Sequence, residues 1–390
     1  LINEGGSCIT KARFEAKYTS SLLRAAGGEC RRLYGDTFPG DRNERLSIVI
    51  REPLGVVGAI SPFNAPLILL VKMIAFPIAG GNTVVAKPSE MTPMVALELA
   101  RIFHQAGFPP GVFNVVNGIG RDAGEALVND SRVAGITFTG STAVGKKIAA
   151  AASGRMARVH MELGGKNPVL VLKDADIDEA VKILAAGAFT HAGQICMASS
   201  RIIAEKEVAR PLAEALAKRA KEMQLGDLHD EKTAYGPLIN DASVAKVRSH
   251  CEAAVRDGAE LLAGGELHHG RVWRPTVLFA PPLSCETWTD ETFGPVTSVV
   301  AVDGLDEAIA VANDSDFGLS AGILSNDMKR AVVAARRIRC GSVHIGAHSF
   351  QSDSMAPIGG FGLSSLGRSG GKYSVEHFTE LKWISFNPGM

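Results

Sequence analysis

Three short stretches bring together side chains that could transfer an acyl group. GQICMASSR, Gly193 to Arg201, places Cys196 between a helical pattern over Asp176–His191 and a strand-like run over Arg201–Ala204. A thiol at such a junction can face a cleft near the positive ends of dipoles, which moves its titration from the usual ~8.5. Its thiolate attacks carbonyl carbons well. SPFNAP, Ser61 to Pro66, holds Asn64 between two prolines that fix the backbone, so its amide could be aimed at a developing oxyanion. ELGGKNP, Glu162 to Pro168, offers Glu162 ahead of two glycines. Each has a plainer reading by itself. A lone Cys is usually a small buried hydrophobe, and a turn Asn serves left-handed geometry. A Glu before Gly–Gly reads as a solvated carboxylate on a flexible, exposed corner rather than a base.

Two further stretches suit a phosphate-bearing ligand. In FTGSTAVGKK, Phe138 to Lys147, Gly140 allows a tight turn, Ser141 can cap a helix, and Gly145 lets that helix approach something closely. Free amides at such a helix start favour an anion. Lys87, in KPSE at Lys87–Glu90, ends a strand at the edge where open parallel sheets bind ligands. No GxGxxG is present.

The elements that must carry these groups alternate. From Gly55 onward the pattern predicts strands over Val56–Ile60, Thr83–Lys87, Phe113–Val116, Val133–Phe138 and Arg158–Leu163. Between them it predicts helices from Thr92 to about Ala106 and over Arg121–Val128. Such alternation implies a parallel sheet covered on both faces. The second half repeats it, with strands near Val169–Leu172, Arg201–Ala204, Pro275–Phe279, Thr297–Val302 and Gly341–Ile345. Leu1 to Leu33 reads as helix. Leu46–Arg51 reads as a strand on an arm that Lys382–Phe386 could pair, and Ser354–Gly371 as a long ordered loop or lid.

The chain has 390 residues, enough for two or three domains. Lys plus Arg and Asp plus Glu both count 41, a balance that argues against a nucleic-acid or anionic-membrane partner. The six cysteines are scattered without a CxxC pair, which points to reduced, cytoplasmic thiols and away from a zinc site or disulfide framework. The apolar run Ala65–Ala79 is broken by Lys72 and Pro77 and falls short of the roughly 20 residues a membrane span needs. The adjacent His268 and His269 have poor metal geometry and read as surface, so no metal site is expected.

SPFNAP, KPSE, FTGSTAVG, ELGGKNP, GQICMASSR, ETFGPV and FGLSAGI occur in the order and at the approximate spacing of one family. Over nearly its whole length the chain resembles the aldehyde dehydrogenase superfamily. The resemblance implies an α/β fold with a Rossmann-like NAD(P)-binding domain over residues 1–33 and 55–163 and an α/β catalytic domain over 164–372. It further implies a small β-strand oligomerisation arm over 34–54 and 373–390, and a homodimer or homotetramer. By the same resemblance Cys196 is the nucleophile, Asn64 and the Cys196 amide form the oxyanion hole, and Glu162 activates water. The cofactor contacts it implies are Ser61, Phe63, Lys87, Ser89, Glu90, Gly120, Gly140, Ser141, Gly145, Leu163, Gly164, Glu291 and Phe293. NAD is the expected cofactor, with NADP possible, and the expected substrate is an aldehyde, aromatic by likeness to benzaldehyde, vanillin and salicylaldehyde dehydrogenases.

Three departures stand out. The chain begins inside the family's pattern, so the first part of the cofactor domain is expected to be absent. Gly346 stands where the family commonly has Asn, and Ser365 where it commonly has Gly. Two other readings compete. CoA-acylating relatives pass the acyl group to a thiol and usually lack the Glu found at 162, and some lens crystallins related to the superfamily are catalytically silent.

Overall fold

The computed structural model describes residues 1–41 and 45–387, and the chain divides into two compact units. Residues 42–44 and 388–390 of the expected arm lie outside the described residues. The first unit comprises Leu1–Phe14, Glu162–Ser352 and Gly359–Leu366, and the second Glu15–Met161, Asp353–Ile358 and Gly367–Met390.

A seven-stranded sheet organises the first unit, in the order Glu260–Ala263, Thr276–Phe279, Val296–Val302, Ser199–Glu205, Asn167–Val171, Ser320–Leu324, Ser342–Ile345. Only the pairing of Glu260–Ala263 with Thr276–Phe279 is antiparallel; the other five pairings are parallel. The central strands Asn167–Val171 and Ser320–Leu324 are buried at every position, as expected when helices cover both faces of a parallel sheet. Val169, Leu170, Ile202, Ile203, Val299 and Ile323 are fully buried in one apolar core, with Leu184, Leu212 and Leu216 of the covering helices. Those helices start where short polar side chains satisfy free amides. Asp176 accepts from the Glu179 amide at 3.0 Å, Asn240 from Ser243 at 2.8 Å, and Asp327 from Lys329 at 2.9 Å.

The second unit holds a sheet whose strands run in the order Arg158–Glu162, Val133–Thr139, Val56–Ile60, Thr83–Lys87, Phe113–Val115. Pairings within the last four are parallel. Its core is built from Val57, Ala59, Val84 and Ala86 of the strands and Leu22, Leu70, Ile74, Phe76 and Leu99 of the helices. The arm is a separate antiparallel sheet, Thr37–Pro39, Leu46–Pro53 and Thr379–Phe386, in register from Leu46↔Phe386 to Pro53↔Thr379. No described helix is long and apolar enough to cross a membrane.

Several boundaries differ from the sequence reading. The single helix expected over Leu1–Leu33 is two, Ile2–Gly5 and Ile9–Glu29. Gly6 between them takes φ 64°, and a Cβ there would lie 3.0 Å from the Pro237 ring. The helix expected over Arg121–Val128 opens with a wider turn, Gly120–Gly124, before Glu125–Asn129. The region expected as one long loop contains a short strand, Phe361–Gly362, that pairs with Phe317–Gly318.

Asn82 ties three parts of the second unit together. It is buried, donates to the carbonyls of Pro77 and Phe378 at 2.9 Å each, and accepts from the Gly55 amide at 3.0 Å. Orphaning buried backbone groups costs about 1–3 kcal/mol each. Asn82→Ala should therefore lower the thermal unfolding midpoint by several degrees, and an unchanged midpoint in scanning calorimetry would rule out this cross-link as a stabilising feature.

Candidate active site

The Cys196 loop begins where helix Ile177–Phe189 stops, two residues short of the expected His191. His191, Ala192 and Gly193 then take φ 53°, 55° and 65°, a left-handed run that turns the chain and costs energy at the two non-glycine positions. Gly193 is required twice over, because a Cβ there would sit 2.1 Å from the Gly294 carbonyl oxygen. Gln194 clamps the turn, donating to the carbonyls of His191 at 3.2 Å and Pro237 at 3.3 Å and accepting from the Ile239 amide at 2.9 Å.

Cys196 follows, half-buried on a turn before strand Ser199–Glu205. Its carbonyl accepts a 2.8 Å hydrogen bond from Asn167 Nδ2, which also donates to Ala198 O at 3.1 Å, while Asn167 Oδ1 accepts from the Ser320 amide at 3.1 Å. Ser349 Oγ donates to Met197 O at 2.7 Å and lies 2.8 Å from Ser199 Oγ. Arg201, almost fully buried, donates to the carbonyls of Lys166 and Ala312, both at 2.9 Å, and sits 5.5 Å from the Trp288 ring centroid. Burial pulls its pKa down to about 10, against the opposing charge of Asp314.

The corner bearing Glu162 is not exposed. Glu162 is buried, and the Leu163 amide donates to Ser364 O at 2.8 Å. The two glycines serve close approach. A Cβ on Gly164 would lie 2.9 Å from Glu291 Oε2, and one on Gly165 would lie 2.5 Å from the Cys196 carbonyl oxygen. The Gly165 amide donates to Glu291 Oε1 at 3.2 Å. Burial raises the Glu291 pKa, opposed by that amide, Lys246 and Lys166. Lys166, beside them, is lowered to about 7 by burial and then by the Arg201 charge, with Glu291, Cys285 and Asp290 pulling the other way. Phe293, two residues after Glu291, takes φ 55°. Cys196, Gly164, Gly165, Glu291 and Lys166 thus form one packed corner of the first unit, which Glu162 leads into.

The other predicted residues belong to the second unit. Ser61, buried, donates its amide to Lys87 O at 3.1 Å; Phe63 is half-buried and Asn64 buried in the turn before helix Pro66–Ala79. Lys87 Nζ is buried and donates to Pro88 O at 2.8 Å and to Glu90 Oε2 at 3.3 Å. Ser89 Oγ accepts from the Met91 amide at 3.2 Å. A cavity of about 410 Å³ adjoins Lys87, walled by Val56, Val85, Val116, Leu127 and Val133. Gly120 opens the wide helical turn, and Ser141 caps helix Thr142–Ser153 by accepting from Val144 at 3.4 Å, with Gly145 buried. Gly140 is needed for a steric reason rather than for its backbone angles: a Cβ would lie 2.4 Å from the Phe138 ring.

Asn167, Lys166 and Ser349 were not singled out by sequence reasoning, although the first two stand inside ELGGKNP. Asn167 presents its amide nitrogen to two carbonyl oxygens, so a carboxylate in its place would face both lone-pair sets. Asn167→Asp should lower the thermal midpoint more than Asn167→Ala does, measured by scanning fluorimetry; an equal or smaller drop would contradict the assigned contacts.

The sequence profile described as the Aldehyde dehydrogenase family matches residues 1–384. A benzaldehyde dehydrogenase [NAD(+)] of Pseudomonas putida is 39% identical over 386 residues, 98% of this chain and 79% of that protein. The mitochondrial succinate-semialdehyde dehydrogenase of Arabidopsis thaliana is 38% identical over 383 residues, 98% of this chain and 72% of that protein. The crystal structure of an NAD-dependent aldehyde dehydrogenase from Sinorhizobium meliloti superposes with a TM-score of 0.96 at 38% identity, covering 99% of this chain and 77% of that one. The order of the motifs, the two parallel sheets and these matches agree, and the chain belongs to the aldehyde dehydrogenase family.

Proposed function

We propose that the chain oxidises an aromatic aldehyde to its carboxylic acid with NAD, through a thioester on Cys196. The observation that supports this reading best is the packed corner in which the Cys196 loop, Gly165 and Glu291 are held together. In the proposed sequence the Cys196 thiolate adds to the aldehyde carbon and forms a thiohemiacetal. The Asn64 amide and the Cys196 N–H receive the oxyanion, an arrangement whose loss costs roughly 10²–10³ in rate in related chemistry. Bound NAD(P) supplies the acceptor for the hydride that the thiohemiacetal gives up. Glu162 then takes a proton from the water that attacks the thioester, and the acid and the free thiolate are released.

The residues present fit such a cofactor. The apolar cavity beside Lys87 suits a flat ring, and the start of the Ser141-capped helix is a favourable place for a phosphate. Lys87, Ser89 and Glu90 would hold the adenosine ribose, and Gly120, Gly140, Ser141 and Gly145 would accommodate the phosphates. Ser61, Phe63, Leu163, Gly164, Glu291 and Phe293 would meet the nicotinamide half. The Glu90 carboxylate favours ribose hydroxyls over a 2′-phosphate, which supports NAD over NADP. The aromatic assignment draws on the benzaldehyde and vanillin dehydrogenases among the relatives, the latter from Pseudomonas fluorescens at 36% identity. The semialdehyde dehydrogenases at similar identity support a second substrate class, aldehydes bearing a carboxylate. The reading includes a homodimer or homotetramer in the cytoplasm, supported by Leu381, Trp383 and Phe386, which leave apolar side chains exposed on the arm.

Initial rates with benzaldehyde, vanillin and succinate semialdehyde, each with NAD and NADP, should give the highest kcat/KM for an aromatic aldehyde with NAD. A preference for the semialdehyde or for NADP would overturn that part of the reading. Cys196→Ala should abolish oxidation and retain cofactor binding. Glu162→Gln should give a burst of reduced cofactor followed by turnover slowed by roughly 10²–10⁴-fold, the usual worth of a general base, with acyl-enzyme at Cys196 in the mass spectrum. Rescue of that variant by CoA, with acyl-CoA as product, would favour the CoA-acylating alternative.

A further inference from the structure

The helix Pro66–Ala79, which follows the Asn64 turn, begins without a cap of its own. Its N-cap is Ala65, which has no polar side chain to offer. Pro66 has no N–H, and the first intrahelical bond runs from Leu69 to Ala65 O at 2.9 Å. That leaves two amides to satisfy, Leu67 and Ile68. Both are taken by one carboxylate oxygen, Glu15 Oε1, at 2.8 and 3.1 Å. Glu15 comes from helix Ile9–Glu29, some 50 residues earlier in the chain, and is fully buried at 0% exposure. A carboxylate at a helix start also meets the positive end of the helix dipole.

The far end of the same turn is fixed too, through the Ser61 amide on Lys87 O at 3.1 Å. Between these anchors Pro62 and Pro66 lock two backbone torsions. The direction of the Asn64 side chain, itself buried, therefore depends on where the Glu15 carboxylate holds the helix start. We propose that Glu15 is a positioning residue for the Asn64 amide, supplying from another helix the cap that SPFNAP lacks. The inference rests on the reading of Asn64 as an oxyanion donor. It assigns to Glu15 a kinetic role and not merely a share of stability.

The test compares Glu15→Ala, Glu15→Gln, Asn64→Ala and the Glu15→Ala/Asn64→Ala double variant of the 390-residue chain. It measures kcat, KM, cofactor dissociation constant by fluorescence quenching, and thermal midpoint, with kinetics taken well below each midpoint. Glu15→Ala should lower kcat by roughly 10- to 100-fold, the scale of a misplaced reacting group, while the cofactor dissociation constant, to which Ser61 and Phe63 of the same turn contribute only part, changes several-fold less than kcat does. Glu15→Gln keeps an acceptor oxygen and should recover most of the rate. The double variant should be no slower than Asn64→Ala, as expected for residues acting as one unit. If Glu15→Ala does not fold, Glu15→Asp, one methylene too short to reach both amides, carries the same expectation.

A lowered midpoint with unchanged kcat overturns the positioning role and leaves the oxyanion reading standing. Additive losses in the double variant do the same. Unchanged kcat in Asn64→Ala overturns the oxyanion reading itself, and the role of Glu15 with it.

Discussion

The side-chain amide of Asn167 is the interaction on which the packing around Cys196 depends. It starts the strand that lies between Ser199–Glu205 and Ser320–Leu324, so it can reach both neighbours at once. One planar group bonds the Cys196 and Ala198 carbonyls on one side and the Ser320 amide on the other. A buried amide with its donors and acceptor all used is rigid, since any rotation orphans polar atoms in a low-dielectric interior. The carbonyl it holds leaves no room for a side chain at Gly165, which brings that backbone close enough for its amide to meet Glu291. The Cys196 loop, the glycine corner and the place of Glu291 are thus consequences of one register among three strands.

Strain is used nearby for the same purpose. The left-handed residues His191 and Ala192, and Phe293 in the facing loop, sit in conformations that side chains disfavour. They persist because Gly193 and Gly294 pack backbone to backbone, and Gly294 in turn is closed by Val247, 2.3 Å from where a Cβ would stand. Small residues here are a matter of volume. Adding a methyl group at Gly193 would push the two loops apart, and one at Gly294 would drive that loop off Val247.

Much of this was legible in the sequence, and the rest was hidden for a definable reason. Apolar strands alternating with capped helices are local signals, so the two parallel sheets and the pairing of Leu46–Arg51 with Lys382–Phe386 could be read directly. The Ser141 cap is also local. The burial of Glu162 was not, because ELGG looks the same whether its glycines bend or merely make room. Gly140 stands at the expected bend, but that it also yields space to Phe138 two residues before it was not legible. Asn167 and Glu15 escaped notice because their partners are backbone groups of strands and helices tens to hundreds of residues away. Only the order of strands in the sheet brings such groups together, and no periodicity encodes that order.

Arg201 carries a consequence for how the chain matures. Its guanidinium is buried against the carbonyls of Lys166, Val311, Ala312 and Asp314, so all but the first of these acceptors lie more than a hundred residues later in the chain. A buried cation without those acceptors is costly, and until residues 311–314 exist the strand that follows Cys196 has no stable interior place for it. Synthesis proceeds from the N-terminus. The strand that follows Cys196 therefore leaves the ribosome well before the acceptors of Arg201 exist, and its buried place can close only after the end of helix Leu305–Asn313 has been made.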